Sequence, residues 1–144
     1  MNILVTGGAG FVGTNLISRL VKDGHDVISV DNYSTGFKEN HQDGCKYYNI
    51  DLTKNRFWDL SGICQCEVPC DCRIEETEII YHLAALARIQ PSIKNPYKTL
   101  HNNFMSSLNV MDIARNNNCQ VIYAGSSTRH HGIFKSPYAW SKLS

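Results

Sequence analysis

The sequence predicts an α/β domain built on a mostly parallel sheet with helices on both faces, the doubly wound arrangement. Short aliphatic and β-branched runs alternate with segments of helical periodicity, a glycine-rich turn joins the first run to the first helix, and the pattern continues to a fifth run. The 144 residues make about one domain, with 42% apolar and 19% charged side chains. A net charge of +1 is too weak to gather a nucleic-acid backbone or an anionic lipid surface, so those classes of partner receive no support. No apolar run approaches the roughly 18 residues of a membrane span, and no basic n-region precedes Ile3-Leu4-Val5. A cytoplasmic protein is therefore expected, with its six cysteines reduced.

The elements follow in order. Asn2 to Thr6 reads as the first strand, and the helix after it places Val12, Leu16, Ile17, Leu20 and Val21 on one face, with Gly24 as its stop. Val27 to Val30 forms the second strand, closed by Asp31. A turn-rich stretch from Asn32 to Gly44 leads to a third strand near Tyr47 to Ile50, then to a weak helix from Thr53 to about Leu60. Glu78 to Leu83 is the fourth strand. A long helical pattern runs from about Tyr97 to Asn116, and the fifth strand, Gln120 to Ala124, opens into the polar loop Gly125 to Lys135. A last helix begins near Pro137.

The sharpest motif is Thr6-Gly7-Gly8-Ala9-Gly10-Phe11-Val12-Gly13, lying between a strand and a helix. Gly7 suits the tight turn, Gly10 lets backbone approach a pyrophosphate on the helix N-terminus, and Gly13 permits close helix packing; this is the dinucleotide fingerprint of a Rossmann fold. Asp31 stands where a carboxylate accepts from the adenosine ribose hydroxyls and repels a 2′-phosphate, which favours NAD over NADP.

A second motif is Tyr138-Ala139-Trp140-Ser141-Lys142, whose Tyr and Lys share one helical face. It follows the fifth strand and the hydroxyl run Ser126-Ser127-Thr128, at the sheet edge where ligands of such folds bind. A cationic Lys142 would favour the tyrosinate form of Tyr138, which would take a proton from a sugar hydroxyl as hydride leaves the same carbon. Ser126 would hydrogen-bond the oxygen whose charge changes.

With these pieces in order, the chain resembles the extended short-chain dehydrogenase/reductase family, in particular its nucleotide-sugar epimerases and dehydratases of the UDP-glucose 4-epimerase type. The further matching stretches are Asp31 to Gly36, Asp51-Leu52, Tyr81-His82-Leu83-Ala84-Ala85 and Asn102-Asn103. The resemblance implies an NAD site made by Gly7, Gly10, Phe11, Val12, Gly13, Asp31, Asn32, Ser34, Gly36, Asp51, Leu52, Leu83, Ala84, Ala85, Asn103, Tyr138 and Lys142. In it Asp31 and Asn32 hold the adenosine ribose, Asp51 and Leu52 flank the adenine, and Lys142 binds the nicotinamide ribose. Ser126, Tyr138 and Lys142 are the implied catalytic set, acting by transient hydride transfer to NAD and a keto-sugar intermediate. Fold-level analogy adds Arg88 and Ser92 as substrate-facing residues.

The resemblance also implies that residues 1–144 form an NAD-binding domain without the C-terminal substrate domain of the family. Such a chain is expected to be inactive alone. A nucleotide sugar is the implied substrate of the longer parent, and a homodimer through the Tyr97 to Asn116 helix and the Tyr-Lys helix its implied assembly, an interface this shorter chain is not expected to complete.

Alternatives remain. A 4,6-dehydratase or a decarboxylase would share these motifs, and so, for cofactor binding alone, would a non-catalytic NAD-binding remnant. Arg129, His130 and His131 stand where dehydratases often carry an acidic pair, which favours an epimerase; the histidines read most simply as exposed loop residues. Ala124 and Gly125 occupy positions where relatives often have serines, leaving Ser126 or Ser127 for the hydrogen-bonding role, with Ser126 preferred. Cys64, Cys66, Cys70 and Cys72 place four thiols within nine residues, enough for one tetrahedral zinc, but their Cys-x-Cys spacing is not the usual one. They are read as an exposed loop, and no metal is assigned. Cys45 and Cys119 read as ordinary small residues near strands.

Overall fold

The computed structural model describes residues 1–54 and 73–142. Five parallel strands lie in the order β3-β2-β1-β4-β5: β1 (Asn2–Thr6), β2 (Asp26–Asp31), β3 (Cys45–Asn49), β4 (Ile79–His82) and β5 (Gln120–Tyr123). All five match runs expected from the sequence, with ends differing by a residue or two. The expected last residues still extend the ladder: Ile50 N–H donates to Asp31 O at 3.1 Å, Leu83 N–H to Thr6 O at 3.2 Å, and Ala124 N–H to His82 O at 3.2 Å.

The period-two pattern of a parallel strand sends alternate side chains to opposite faces. On one face Ile3, Val5, Ile17, Leu20 and Val27 form a cluster under α1 (Phe11–Lys22). On the other, Leu4, Ile28, Val30 and Ile80 pack against Val110 and Ile113 of the long helix that precedes β5. Helices thus cover both faces, as the doubly wound reading expects.

Local chemistry sets the helix ends. The α1 helix stops at Lys22, where Gly24, at φ +83°, and His25 donate back to Val21 O and Leu20 O. A short α2 (Ile89–Lys94), not expected from the sequence, precedes α3 (Pro96–Asn117). Asn95 caps α3 by accepting from Lys98 N–H at 3.0 Å, Pro96 occupies its first turn, and Asn118 ends it in the left-handed conformation. Ser136 caps α4 (Pro137–Ser141) in the same manner, accepting from Ala139 N–H at 3.1 Å. The polar stretch after β5 winds into two 3₁₀ turns, Ser127–His131 and Ile133–Lys135.

Two expectations go beyond the described residues. The weak helix from Thr53 is seen only in its first two residues, which lie in a turn, and the Cys64–Cys72 cluster lies wholly outside. Among the described residues no helix is long and apolar enough to cross a membrane. Cys45 and Cys119 are free thiols, half-buried beside their strands.

Candidate active site

The chain leaves β1 for β2 on one side and returns to β4 on the other, so the sheet's direction of growth reverses between β1 and β4. That is where a parallel α/β sheet opens a crevice beyond its strand ends. A cleft of about 730 Å³ lies there, lined by the glycine loop, by Asp31, Asn32 and Ser34 after β2, by Asp51 and Leu52 after β3, and by Leu83 to Arg88 after β4.

Gly7 and Gly13 of the loop are forced by the fold. Gly7 sits at φ +73°, and a Cβ there would come within 2.8 Å of Ala84 N, so the loop lies directly against the chain leaving β4. At Gly13 a Cβ would meet Gly7 O at 2.4 Å, so the close packing expected there is of α1 onto the loop itself. Gly10 differs: its nearest clash is a tolerable 3.3 Å, and it faces the cleft. It opens α1 with no side-chain cap and no acidic residue in the first turn, leaving the leading N–H groups for an anion. Phe11 and Val12 line the cleft and are exposed, which explains why Val12 leaves the buried stripe predicted for α1.

Asp31 binds backbone on both oxygens, with Oδ2 accepting from Ala9 N–H at 3.0 Å and Oδ1 from Tyr33 N–H at 2.8 Å. A carboxylate has about four acceptor sites, so capacity for a ligand hydroxyl remains. Ala9 O in turn accepts from Phe37 N–H at 3.2 Å and Asn40 Nδ2 at 2.8 Å, which locks the segment after β2 onto the glycine loop. Burial pushes the Asp51 carboxyl up, but hydrogen bonds from Thr53 N–H and Oγ1, with Lys54 nearby, bring it below its ordinary value. It stands in the cleft as an anion.

Tyr138 and Lys142, one turn apart on and just after α4, are both buried and close on Tyr123 of β5. Lys142 Nζ lies 4.4 Å from the centre of the Tyr123 ring, and burial pushes its ammonium down to about 8. Ser126 is half-buried in the segment following β5, its Oγ 2.8 Å from Thr128 Oγ1 and accepting from Thr128 N–H, so it caps the 3₁₀ turn; Ser127 is exposed.

Other expected site residues fall elsewhere. Gly36 does not line the cleft; it lies against Ala9, where a Cβ would come within 2.8 Å. Asn103 is buried beneath the cleft, accepting from Leu86 N–H at 2.8 Å and donating to Ser141 Oγ at 2.9 Å, while its neighbour Asn102 lines the cleft. Arg88 faces the cleft, but Ser92 is fully buried with its Oγ donating to Ile89 O at 2.6 Å, which rules out a direct substrate contact. Lys94 and Lys98 join Arg88 on the cleft wall. No periodicity in the sequence reveals them, since α2 and its junction with α3 bring them round.

A parallel sheet, a glycine loop at its switch point, an acid closing β2 and a Tyr-x-x-x-Lys helix beyond β5 together define the dinucleotide-binding class of doubly wound domains. The profile of the NAD dependent epimerase/dehydratase family matches residues 3–131, and the chain belongs to that family. It is 32% identical over 146 residues to Protein CapI of Staphylococcus aureus, across 98% of this chain and 42% of that protein. It is 35% identical over 125 residues to UDP-glucuronic acid decarboxylase 1 of Danio rerio, across 87% of this chain and 27% of that one. The Thermus thermophilus UDP-glucose 4-epimerase in complex with NAD superposes with a TM-score of 0.79 at 27% identity, covering 99% of this chain and 47% of its own. The chain spans less than half the length of each of these three.

Proposed function

We propose that residues 1–144 are the NAD-binding domain of a cytoplasmic nucleotide-sugar epimerase of the UDP-glucose 4-epimerase type. The observation that carries the reading is that one switch-point cleft holds an open glycine-led helix N-terminus and the Asp31 carboxylate, with a buried Tyr138/Lys142 pair beyond the adjoining strands.

NAD bound in this cleft would supply reversible acceptance of hydride from a sugar carbon. The chain's own residues do the rest. Gly10, Phe11, Val12 and Gly13 hold the pyrophosphate against the first turn of α1, Asp31, Asn32 and Ser34 hold the adenosine ribose, and Asp51 and Leu52 flank the adenine. Leu83, Ala84 and Ala85 wall the cleft, and Lys142 binds the second ribose. Tyr138 takes the proton of the sugar hydroxyl, and Ser126 hydrogen-bonds the sugar oxygen. Ser127, exposed in the same turn, is the alternative for that last role. Homodimerisation of the longer enzyme through α3 is part of the same reading, with Leu108 and Met111 exposed on that helix. A second reading, a nucleotide-sugar decarboxylase, is favoured by the 35% identity to a decarboxylase.

Isothermal titration of the chain with NAD and with NADP tests the proposal without requiring turnover of sugar. NAD should bind at least about tenfold tighter than NADP, and Asp31→Ala should abolish that preference. Equal or tighter NADP binding, or no binding by a chain that melts cooperatively, would overturn the reading.

A further inference from the structure

Behind Tyr138 and Lys142 lies a polar cluster, buried at Thr6 and His82 and half-buried at Ser107 and Tyr123, that the proposed proton transfer does not use. Its members come from four elements: Thr6 on β1, His82 on β4, Ser107 on α3 and Tyr123 on β5. Thr6 Oγ1 is 2.7 Å from His82 Nδ1, and His82 Nε2 is 3.1 Å from Ser107 Oγ. His82 is fully buried in the centre of the sheet.

The proton on each group follows from its neighbours. Ala84 N–H donates to Thr6 Oγ1 at 3.2 Å, so the hydroxyl is free to point its own proton at His82 Nδ1. Ser107 Oγ donates to Asn103 O at 2.8 Å, in the i to i−4 bond common for a helical serine, so it can only accept from His82 Nε2–H. Every donor and acceptor is satisfied if His82 is neutral with its proton on Nε2. An imidazolium would make the Thr6 hydroxyl an acceptor at Nδ1 and leave its own proton without the partner it has in the neutral form. The imidazole so fixed packs against the Tyr123 ring, with centroids 5.6 Å apart and planes tilted by 41°, and the face of that ring lies beneath Lys142 Nζ.

We infer that Tyr123 and His82 are positioning residues for Lys142: hydrogen bonds from the Ala84 amide at the cleft wall through Thr6 to His82, and from His82 to Ser107, fix the imidazole against the Tyr123 ring, which seats the Lys142 ammonium. The inference rests on the proposed function only for the use to which Lys142 is put. Ring quadrupole and ammonium attract, so the seat stabilises the charged form and opposes the burial that disfavours it. Among the described residues the titratable groups beside Lys142 are His82 from β4 and Tyr123 from β5, with Tyr138 one turn back on its own helix and near Tyr123. A neutral His82 adds no repulsion to this seat. Tyr123 therefore places the amine and sets the pH range over which it is charged.

Nuclear magnetic resonance on the cofactor-free chain tests this, so its outcome is separable from any failure to bind NAD. In the unsubstituted chain the Lys142 Hε protons should be shifted upfield by the ring and show contacts to Tyr123. His82 should appear as the Nε2–H tautomer from neutral pH down to about pH 5. Removing the ring with Tyr123→Leu should lower the Lys142 titration midpoint by about half a unit or more, whereas Tyr123→Phe, which keeps the ring, should leave it in place. A purely structural role for Tyr123 would move neither midpoint. Equal midpoints in Leu and Phe variants, an Nδ1–H or charged His82 at neutral pH, or unshifted Lys142 Hε protons in the unsubstituted chain would overturn the inference. The last two measurements stand even if the Leu variant fails to fold.

Discussion

Asn103 and Ser141, 38 residues apart in sequence, are joined by a 2.9 Å hydrogen bond from Nδ2 to Oγ. Ser141 Oγ donates onward to Tyr138 O at 2.8 Å, while the Asn103 carbonyl oxygen holds Leu86 N–H at 2.8 Å. One side chain thus ties the cleft wall after β4 to the helix that carries Tyr138. Asn103→Ala leaves the Leu86 N–H without its acceptor and frees α4, and should destabilise the chain by about 1–3 kcal/mol. Urea unfolding measures this; a loss under about 0.5 kcal/mol would show that the bond is dispensable.

Gly10 and Gly13 belong to the same loop but are held for different reasons. A methyl at Gly13 would run into Gly7 O at 2.4 Å, so Gly13→Ala should lower the melting temperature sharply. The 3.3 Å approach at Gly10 is tolerable, so Gly10→Ala should melt close to the unsubstituted chain yet bind NAD about tenfold more weakly or worse, because its methyl enters the cleft. Thermal melts paired with titration separate the two; equal losses of stability would refute the distinction.

His82 makes stability depend on acid. Burial, with the nearby Lys142 charge adding, pushes its imidazole down from the ordinary 6.5 to about 4. Between those values the unfolded chain binds the proton and the folded chain does not, so stability is intact above 6.5 and falls as pH drops toward 4. The loss attributable to this residue is on the order of 3 kcal/mol. Unfolding free energies measured at about pH 7 and about pH 4.5 should differ less in His82→Gln than in the unsubstituted chain. Equal differences would show that other groups govern the acid limb.

Ser29 carries a fully buried hydroxyl that has no hydrogen-bond partner among the described residues. Ser29→Ala removes a desolvated polar atom and should leave stability unchanged or raise it by about 1 kcal/mol. A clear destabilisation in urea would mean that the hydroxyl has a partner.

β1, β2, β4 and β5 were legible as short aliphatic runs, and the glycine loop because its spacing is tied to a strand–helix junction. Tertiary relationships were not. Asn103 and its neighbour Asn102 look equivalent in sequence, yet helical phase buries one and turns the other to the cleft. The α2 helix escaped because it is six residues long with Pro91 in its first turn, too short to show a period. His82 reads as one more strand residue, and its three polar neighbours come from parts of the chain that only the sheet brings together. Gly36 carries a turn signature, but its tight contact with Ala9 depends on how the segment after β2 folds back.

The two backbone amides gripped by Asp31 bear on how such a domain changes over generations. A small neutral residue at this position would admit a bulkier, more negative ribose, but it would also strand Ala9 N–H and Tyr33 N–H. The first step toward a different cofactor is therefore also a step toward a looser fold. A lineage crossing that gap would need a compensating change near Ala9 beforehand, which makes cofactor choice here one of the slower traits to drift.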